Sequence, residues 1–218
     1  MIRVVLADDH RLVRQAIEGM LRDISDIEIV AQAENGRQAL AAVREHEPDL
    51  VLMDLQMPEM GGIEATRRLR RSHPKVGVIA VTVHDTGPYP AHALRAGAKG
   101  YVHKGADRDE LIEAIRSVYL GRRYLCNEIA RHLALVSLDG TGESPFDGLT
   151  SREFDVLMRI LNGQRGTSIA KELCLSPKTI STYRTRLYER LGVKNDAQLT
   201  RVALDYGLIE AHSEDDPS

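Results

Sequence analysis

Residues 49–58 read Asp-Leu-Val-Leu-Met-Asp-Leu-Gln-Met-Pro, and this stretch decides the fold of the first half of the chain. Its apolar part, residues 50–53, is short and continuous, which is typical of a strand buried on both faces of a parallel sheet. Asp54 ends the run, because an unpaired carboxylate is costly inside a sheet core. Pro58 then excludes a regular strand or helix. We therefore predict that Asp54 lies at the carboxyl end of a strand, where open α/β sheets bind their ligands.

The same pattern of a buried strand followed by a helix recurs along the first 121 residues. We predict strands at residues 4–7, 29–31, 50–53, 76–81 and 101–102, and helices at residues 12–21, 35–46, 63–71, 91–96 and 108–120. Short joins between such units predict an α/β fold with a five-stranded parallel sheet and helices on both faces. Pro88 and Pro90 argue against a fourth helix that begins before Pro90, so we expect this helix to be short, irregular and mobile.

Composition restricts the location of the protein and its partners. The chain has no apolar run of the roughly 18 residues that a membrane span needs, and its N-terminus lacks a signal-peptide pattern. We therefore expect a cytoplasmic protein with no membrane partner. Cys126 and Cys174 lie far apart without CxxC spacing, which argues against a disulfide framework or a zinc site. Residues 149–208 carry 10 Lys and Arg against 6 Asp and Glu, and such a basic segment in an acidic chain is expected to meet nucleic acid.

Five polar residues each follow a predicted strand, and in a parallel sheet these strand ends meet at one edge. They are Asp8, Asp9, Asp54, Thr82 and Lys104. Three carboxylates at one edge repel each other and form a hard oxygen site that suits Mg²⁺. We predict that Asp54 is a nucleophile that accepts a phosphoryl group, with Lys104 and Thr82 contacting the phosphoryl oxygens. Singly, such residues are more often caps or turn formers, and His10 is more often a surface residue than a metal ligand. The joint pattern carries the prediction.

The C-terminal segment has helical patterns only. Thr150 and Glu153 form a capping box ahead of a first helix. Helices are further predicted at residues 167–173, 177–191 and 196–206, and the tight turn before the third predicts a helix-turn-helix. The residues predicted to contact double-stranded DNA are Lys171, Lys178, Thr179, Ser181, Thr182, Arg184, Thr185 and Arg186, with Thr167, Glu189 and Arg190 beside them. A solvated polar face is the commoner meaning of such a stripe, and the local excess of basic residues favours DNA.

Residues 1–121 resemble the receiver domain of two-component response regulators. The resemblance rests on the Asp8-Asp9 pair, Asp54 with Met57-Pro58, Thr82, the Gly100-Tyr101 pair and Lys104. It implies a flavodoxin-like fold with strand order 2-1-3-4-5 and phosphotransfer to Asp54 from a sensor histidine kinase. It also implies that Gln56 supplies a backbone carbonyl to the metal, that Thr82 moves toward the phosphoryl group and that the Tyr101 ring reorients. Gln56 and His84 flank the site and are candidates for setting the rate of dephosphorylation.

Residues 149–208 resemble the LuxR-type domain of the NarL/FixJ family. The motifs are Leu149-Thr150-x-Arg152-Glu153, Ile169-Ala170 and Leu175-Ser176-x-Lys178-Thr179-Ile180. The last helix of such domains commonly dimerises, so the resemblance implies a homodimer when the protein is phosphorylated. Short sequence motifs such as Ser144-Pro145-Phe146-Asp147 most resemble those of the GacA/UvrY group. That likeness implies a kinase of the GacS/BarA type and promoters of small regulatory RNAs.

Together these patterns predict four segments and one main function. The segments are a receiver domain at 1–121, a helical and flexible linker at 122–148 with a helix at 124–135, a helix-turn-helix domain at 149–208 and an acidic tail at 209–218. We expect a phosphorylation-switched regulator that is not an enzyme beyond its own phosphoryl transfer. One alternative is a Mg²⁺-dependent aspartyl-phosphate phosphohydrolase, although Asp54 is not followed by a DxD pattern. The other is a phosphate-independent DNA-binding regulator that senses a ligand, which would need an enclosed apolar pocket.

Overall fold

The chain divides into two compact units, Met1–Gly140 and Thr141–Ser218, and each is described by itself. The computed structural model describes residues 1–83, 88–126, 129–131, 144–146, 148–173, 175–206 and 208–209. The division falls inside the predicted linker 122–148, and the finer domain boundaries stay predictions. Among the described residues, no helix is both long and apolar enough to cross a membrane.

The first unit is an α/β domain built on a parallel sheet. Its strands are β1 (Ile2–Ala7), β2 (Ile27–Ala33), β3 (Leu50–Met53), β4 (Gly77–Thr82), β5 (Gly100–His103) and β6 (Tyr124–Leu125). Its helices are α1 (Arg11–Leu21), α2 (Gly36–His46), α3 (Gly62–Ser72), α4 (Tyr89–Ala96) and α5 (Arg108–Tyr119). The strand order is β2-β1-β3-β4-β5-β6, and all neighbouring pairs are parallel. The predicted fold and the order of the first five strands are confirmed.

The sheet has a sixth strand that the sequence pattern does not predict. Tyr124 and Leu125 pair with Gly100 and Tyr101 of β5 at the edge of the sheet. The predicted helix over residues 124–135 is therefore wrong at its start. Residues 129–131 are helical, and the other residues of that range after 126 lie outside the described ones. A strand of two residues shows no periodicity of its own, because its position depends on the neighbouring strand.

Side chains of β3 alternate between two cores, one on each face of the sheet. Leu50 and Leu52 belong to the cluster formed with α1 and α5, whereas Val51 and Met53 belong to the cluster formed with α2 and α3. All four side chains are fully buried, and each such burial contributes roughly 1.5–3 kcal/mol. This two-sided packing explains the continuous apolar run and holds Asp54, the next residue, at the sheet edge.

Helix α4 begins earlier than its prolines suggest. It spans Tyr89–Ala96, with Pro88 as N-cap and Pro90 in the first turn, and ends at Gly97 with φ of 116°. Proline is tolerated there, because the first N–H groups of a helix have no partner within the helix. The predictions of a start near Ala91 and of an irregular helix are therefore wrong, and the expected mobility stays a prediction. His84 and the rest of residues 84–87 lie outside the described residues.

The described secondary structure of the second unit is helical. It consists of α6 (Ser151–Leu161), α7 (Gly166–Glu172), α8 (Pro177–Leu191) and α9 (Asp196–Asp205). The predicted capping box is confirmed: the Glu153 N–H donates to Thr150 Oγ1 at 3.2 Å, and the Thr150 N–H donates to Glu153 Oε2 at 2.8 Å. Ser176 caps α8, since its Oγ accepts a hydrogen bond of 3.1 Å from the Thr179 N–H.

Phe146 falls within the predicted linker, yet it belongs to the core of the second unit. Its side chain is fully buried, and its ring meets the ring of Tyr206 edge-on at 90°, with 6.2 Å between the centroids. Leu149 nearby is also buried. Burial of an aromatic side chain makes a large contribution to the free energy of folding. The described residues at the end of the predicted linker therefore pack as part of the helical unit.

Candidate functional site

The strand ends bring the predicted site residues to one edge of the sheet. β1 and β3 end side by side, and the backbone N–H of Asp54 donates to the carbonyl of Ala7 at 2.8 Å. This places Asp54 beside Asp8. On the other side of β3, Thr82 ends β4, and its carbonyl accepts a hydrogen bond of 2.8 Å from the backbone N–H of Lys104, which follows β5. The sheet order thus unites residues that lie far apart in sequence.

Lys104 is the cation of this edge. Its Nζ donates to Oδ2 of Asp54 at 2.9 Å and forms an ion pair of 2.7 Å with Oδ2 of Asp8. The side chain is only 12% exposed. Burial by itself would lower the pKa of Lys104, but the contact with Asp8 and the charge of Asp54 outweigh it, so the pKa is raised above its ordinary value. Lys104 is therefore a fixed positive charge between two carboxylates.

Asp54 is a buried carboxylate with an unusual affinity for protons. Asp54 is 3% exposed, and this burial raises the pKa of its carboxyl group to about 6. Lys104 acts in the opposite direction and lowers the pKa, whereas the charge of Asp8 makes a smaller contribution that raises it. Oδ1 accepts a hydrogen bond of 3.3 Å from the backbone N–H of Gln56. The chain also approaches closely at Gly62, where an added Cβ would lie 1.9 Å from the Asp54 carbonyl oxygen. Near neutral pH the carboxylate is mostly ionised and able to act as a nucleophile.

A cation site fits beside this carboxylate. One possible ligand atom from each of Asp8, Asp9, His10 and Asp54 lies within 4.8 Å of the others. Within the part of the chain that the structure describes, the buried Oδ1 of Asp9 accepts no hydrogen bond, and it lies 3.0 Å from Nδ1 of His10. An oxygen donor that is withdrawn from water and lacks a hydrogen bond fits a hard cation. His10 is an exposed helix-entry residue, as predicted, although its Nδ1 reaches this cluster.

The two predicted switch residues lie on the neighbouring strands β4 and β5. Thr82 is almost fully buried at the end of β4. Tyr101 is fully buried on β5, where it pairs in register with Ala80 on one side and Leu125 on the other. The movements of Thr82 and Tyr101 on phosphorylation stay predictions.

In the second unit, α8 presents a polar face to solvent. The exposed residues of this face are Lys178, Ser181, Thr182, Thr185, Arg186 and Glu189. On its other side Ile180 and Leu187 are buried. The Thr182 and Thr185 hydroxyls donate to the carbonyls one turn earlier in the helix, each at 3.1 Å. Their oxygens therefore remain as hydrogen-bond acceptors, which suits the amino groups of adenine and cytosine in a major groove.

The other residues predicted to contact DNA have different surroundings. Arg184 is half-buried, and its Nη2 lies 3.2 Å from Oδ2 of Asp196, so the structure assigns it to an ion pair between α8 and α9. The Thr179 hydroxyl lies 2.8 Å from that of the N-cap serine. Lys171, which is predicted to contact DNA, and Thr167 beside it are both exposed on α7. The structure thus groups most, but not all, of the predicted residues on an accessible surface.

Comparison with known proteins assigns both units. Residues 4–116 match the family model described as "Response regulator receiver domain", and residues 147–203 match "Bacterial regulatory proteins, luxR family". The chain belongs to the response regulator family. Its relatives include the response regulator GacA of Pseudomonas protegens, which is 46% identical over 211 residues that cover 97% of this chain and 99% of GacA. The response regulator UvrY of Escherichia coli K12 is 44% identical over 214 residues, which cover 98% of each chain.

A solved structure supports the same assignment for the fold. RcsB of Salmonella enterica serovar Typhimurium, bound to promoter rprA in the presence of phosphomimetic BeF3−, matches with a TM-score of 0.75 and 25% identity. The match covers 92% of this chain and 97% of RcsB. The chain is a DNA-binding response regulator of a two-component system that controls transcription, as the sequence motifs predict. The phosphohydrolase and the ligand-sensing regulator are not favoured by these matches.

One site residue of this response regulator escapes the sequence motifs. Arg14 is 7% exposed, and its Nη1 donates to the carbonyl of Asp8 at 2.7 Å. Its Nη2 pairs with Glu34 at 2.7 Å, and its Nε donates to Gln32 at 3.2 Å. Arg14 therefore holds the backbone that carries the acidic pair. The sequence does contain one indication that Arg14 is buried. It lies three residues before Ile17 and therefore on the buried face of α1.

A second such residue is Tyr89, the first residue of α4. Its hydroxyl accepts a hydrogen bond of 2.8 Å from Nε2 of Gln56, two residues after Asp54. Burial raises the pKa of Tyr89, and the nearby charge of Asp54 raises it further, so the hydroxyl stays protonated. The sequence offers no signal for this contact, because Tyr89 stands between two prolines that obscure the helix start.

Proposed function

We propose that this response regulator accepts a phosphoryl group on Asp54 and that this event controls how its α8 helix binds DNA. The observation that carries the proposal is the position of Lys104 between two buried carboxylates at the sheet edge. Beside them lies Oδ1 of Asp9, which accepts no hydrogen bond from the residues that the structure describes. This combination offers a nucleophile, a fixed cation and a set of hard oxygen ligands in one place.

The proposed transfer makes one bond and breaks one. An oxygen of ionised Asp54 attacks phosphorus, and the bond between phosphorus and the histidine nitrogen of a sensor kinase breaks, so that the electron pair stays on the imidazole. Lys104 moves its hydrogen bond from the Asp54 carboxylate to the phosphoryl oxygens, and the Thr82 hydroxyl donates to the same oxygens. Lys104 is already in contact with Asp54 at 2.9 Å, which lowers the entropic cost of reaching the transition state.

The residues that would hold Mg²⁺ are Asp8, Asp9 and Asp54, together with the backbone carbonyl of Gln56. When bound, Mg²⁺ neutralises charge that builds up between the carboxylates and the phosphoryl group. Arg14 would keep the acidic pair in position through the Asp8 carbonyl. His10, with Nδ1 3.0 Å from Oδ1 of Asp9, lies at the margin of this site.

The signal then passes from the receiver to DNA as a shift between two conformations. Thr82 and Tyr101 follow the phosphoryl group, and the phosphorylated state exposes and dimerises the DNA-binding domains. In the dimer, α8 enters the major groove of each half-site, with half-sites about one helical turn apart. Ser181, Thr182 and Thr185 face base edges, and Lys178 and Arg186 contact phosphates.

The likeness to GacA and UvrY over nearly the whole chain supports finer proposals. The phosphodonor would be a sensor histidine kinase of the GacS/BarA type, and the targets would include promoters of small regulatory RNAs. We further propose that the protein works in the cytoplasm and catalyses nothing beyond the transfer and hydrolysis of its own phosphoryl group. Sustained turnover of phosphomonoesters would contradict this last proposal.

The phosphoacceptor can be tested by chemical phosphorylation. Wild type, Asp54→Asn and the control Asp23→Asn, an exposed aspartate outside the site, are incubated with acetyl phosphate and Mg²⁺. Phosphate-affinity gels and intact mass should show one added phosphoryl group on wild type and on the control, and none on Asp54→Asn. Equal uptake by Asp54→Asn would overturn the assignment of Asp54.

A further inference from the structure

Tyr89 and Gln56 join helix α4 to the loop that carries Asp54. The Tyr89 residue is 2% exposed, and its hydroxyl accepts the Gln56 Nε2–H at 2.8 Å. Gln56 itself is exposed, so its carboxamide has water as an alternative partner. The hydrogen bond to Tyr89 holds the otherwise mobile Gln56 side chain in one orientation.

The Gln56 carboxamide is a hydrogen-bond donor on the second residue after Asp54. The backbone N–H of the same residue lies 3.3 Å from Oδ1 of Asp54. A phosphoryl group on Asp54 would add strong acceptor oxygens near the carboxamide, and hydrogen bonds to charged acceptors are about twice as strong as neutral ones. Those oxygens would compete with the Tyr89 hydroxyl for the amide. Loss of the hydroxyl would leave the amide free to turn toward the phosphoryl group.

We propose that Tyr89 is a positioning residue that sets the lifetime of the phosphoryl group, by holding the Gln56 amide away from it. The inference rests on Asp54 being the phosphoacceptor. In hydrolysis, water attacks phosphorus and the bond between phosphorus and the Asp54 oxygen breaks, which releases inorganic phosphate and the free carboxylate. A Gln56 amide bound to the phosphoryl oxygens would stabilise the acyl phosphate and occupy the approach of water. Tyr89 therefore keeps the phosphorylated state short-lived.

The experiment measures the decay of the phosphorylated protein. Wild type, Tyr89→Phe, Gln56→Ala and the double variant are phosphorylated with acetyl phosphate, freed of donor and followed on phosphate-affinity gels in Mg²⁺. We expect Tyr89→Phe to lengthen the half-life about threefold or more, because a freed amide gains a charge-assisted hydrogen bond. The same substitution in the Gln56→Ala background should leave the half-life unchanged, since no amide is present to be freed.

Comparison of the single and double variants distinguishes positioning of the Gln56 amide by Tyr89 from a general structural effect of the substitution. Tyr124→Phe, a half-buried tyrosine on β6, is the matched control and should decay as wild type. A half-life for Tyr89→Phe equal to or shorter than that of wild type would overturn the proposal. An equal lengthening in the Gln56→Ala background would also overturn it. If wild type takes up no phosphoryl group, the assignment of Asp54 fails as well, whereas normal uptake with unchanged decay refutes the role of Tyr89 alone.

Discussion

Nζ of Lys104 lies 2.9 Å from Oδ2 of Asp54, although 50 positions separate the two residues in sequence. The same nitrogen lies 2.7 Å from Oδ2 of Asp8. The lysine therefore offsets part of the negative charge of two acids of the site before any other cation or a phosphoryl group arrives. Any ligand that binds here must compete with Lys104 for the carboxylates or displace its hydrogen bonds.

Substitution of Lys104 should affect metal binding and phosphorylation in opposite directions. In Lys104→Met the carboxylates lose a competing cation, so Mg²⁺ affinity should rise roughly tenfold. Phosphoryl uptake should become slower, because the cation that stabilises the oxygens of the transferred group is absent. Calorimetric titration with Mg²⁺ and uptake from acetyl phosphate measure the two effects. Lys75→Met, at an exposed lysine, is the control. Weaker Mg²⁺ binding together with normal uptake would contradict this role.

The raised pKa of Asp54 predicts a stability that depends on pH and on metal. Because the folded-state pKa is about 6 and the ordinary value is 3.8, the folded chain holds the proton more tightly than the unfolded one. The stabilising contribution is present below pH 3.8 and is lost as the pH rises through about 6. At pH 7 without divalent cations, Asp54→Asn should therefore raise the free energy of unfolding by about 2–3 kcal/mol.

The measurement is urea unfolding of wild type and Asp54→Asn with a chelator, at about pH 4 and at about pH 7. We expect a small difference between the two proteins at the lower pH and a larger one at the higher pH. Addition of Mg²⁺ at pH 7 should stabilise wild type more than the variant, because the metal relieves the repulsion among ionised carboxylates. A difference that is equal at both pH values would show that burial of the charge is not its cause.

Arg14 should support both stability and metal binding. Arg14→Ala leaves the Asp8 carbonyl and Glu34 without their partner, which should cost about 1–3 kcal/mol of unfolding free energy. Mg²⁺ affinity should fall as well, since the backbone of the acidic pair loses its anchor. Arg11→Ala, at an exposed position of the same helix, should change neither quantity. Loss of stability with unaltered Mg²⁺ affinity would restrict Arg14 to a structural role.

Two arginines of α8 should behave differently in DNA binding. Arg186 is exposed, so Arg186→Ala should weaken binding and reduce the slope of log affinity against log salt by about one. Arg184 is engaged with Asp196, so Arg184→Ala should lower the melting temperature of the domain and leave the salt slope close to that of wild type. Titrations at several salt concentrations and thermal unfolding distinguish these effects. Equal slopes for wild type and Arg186→Ala would exclude a phosphate contact at Arg186.

Much of the fold and the site follows from the sequence, because the deciding signals are local. The apolar run before Asp54 predicts a central strand, and the sheet then brings Asp8 and Lys104 to it. Strand β6 and the side-chain contacts of Arg14 and Tyr89 could not be predicted, since each depends on groups that are distant in sequence. The start of α4 differs from the predicted one for a local reason: Pro90 can stop a helix or begin one, and neighbouring packing decides between them.

The central claim is that phosphorylation of Asp54 controls DNA binding by α8. The most direct test measures affinity for a duplex selected from random sequences, as a function of salt, for wild type and Asp54→Asn, each with and without acetyl phosphate and Mg²⁺. We predict that the donor tightens binding by wild type and leaves that of Asp54→Asn unchanged. An equal response of both proteins to the donor, or no response of wild type at any salt concentration, would contradict the claim.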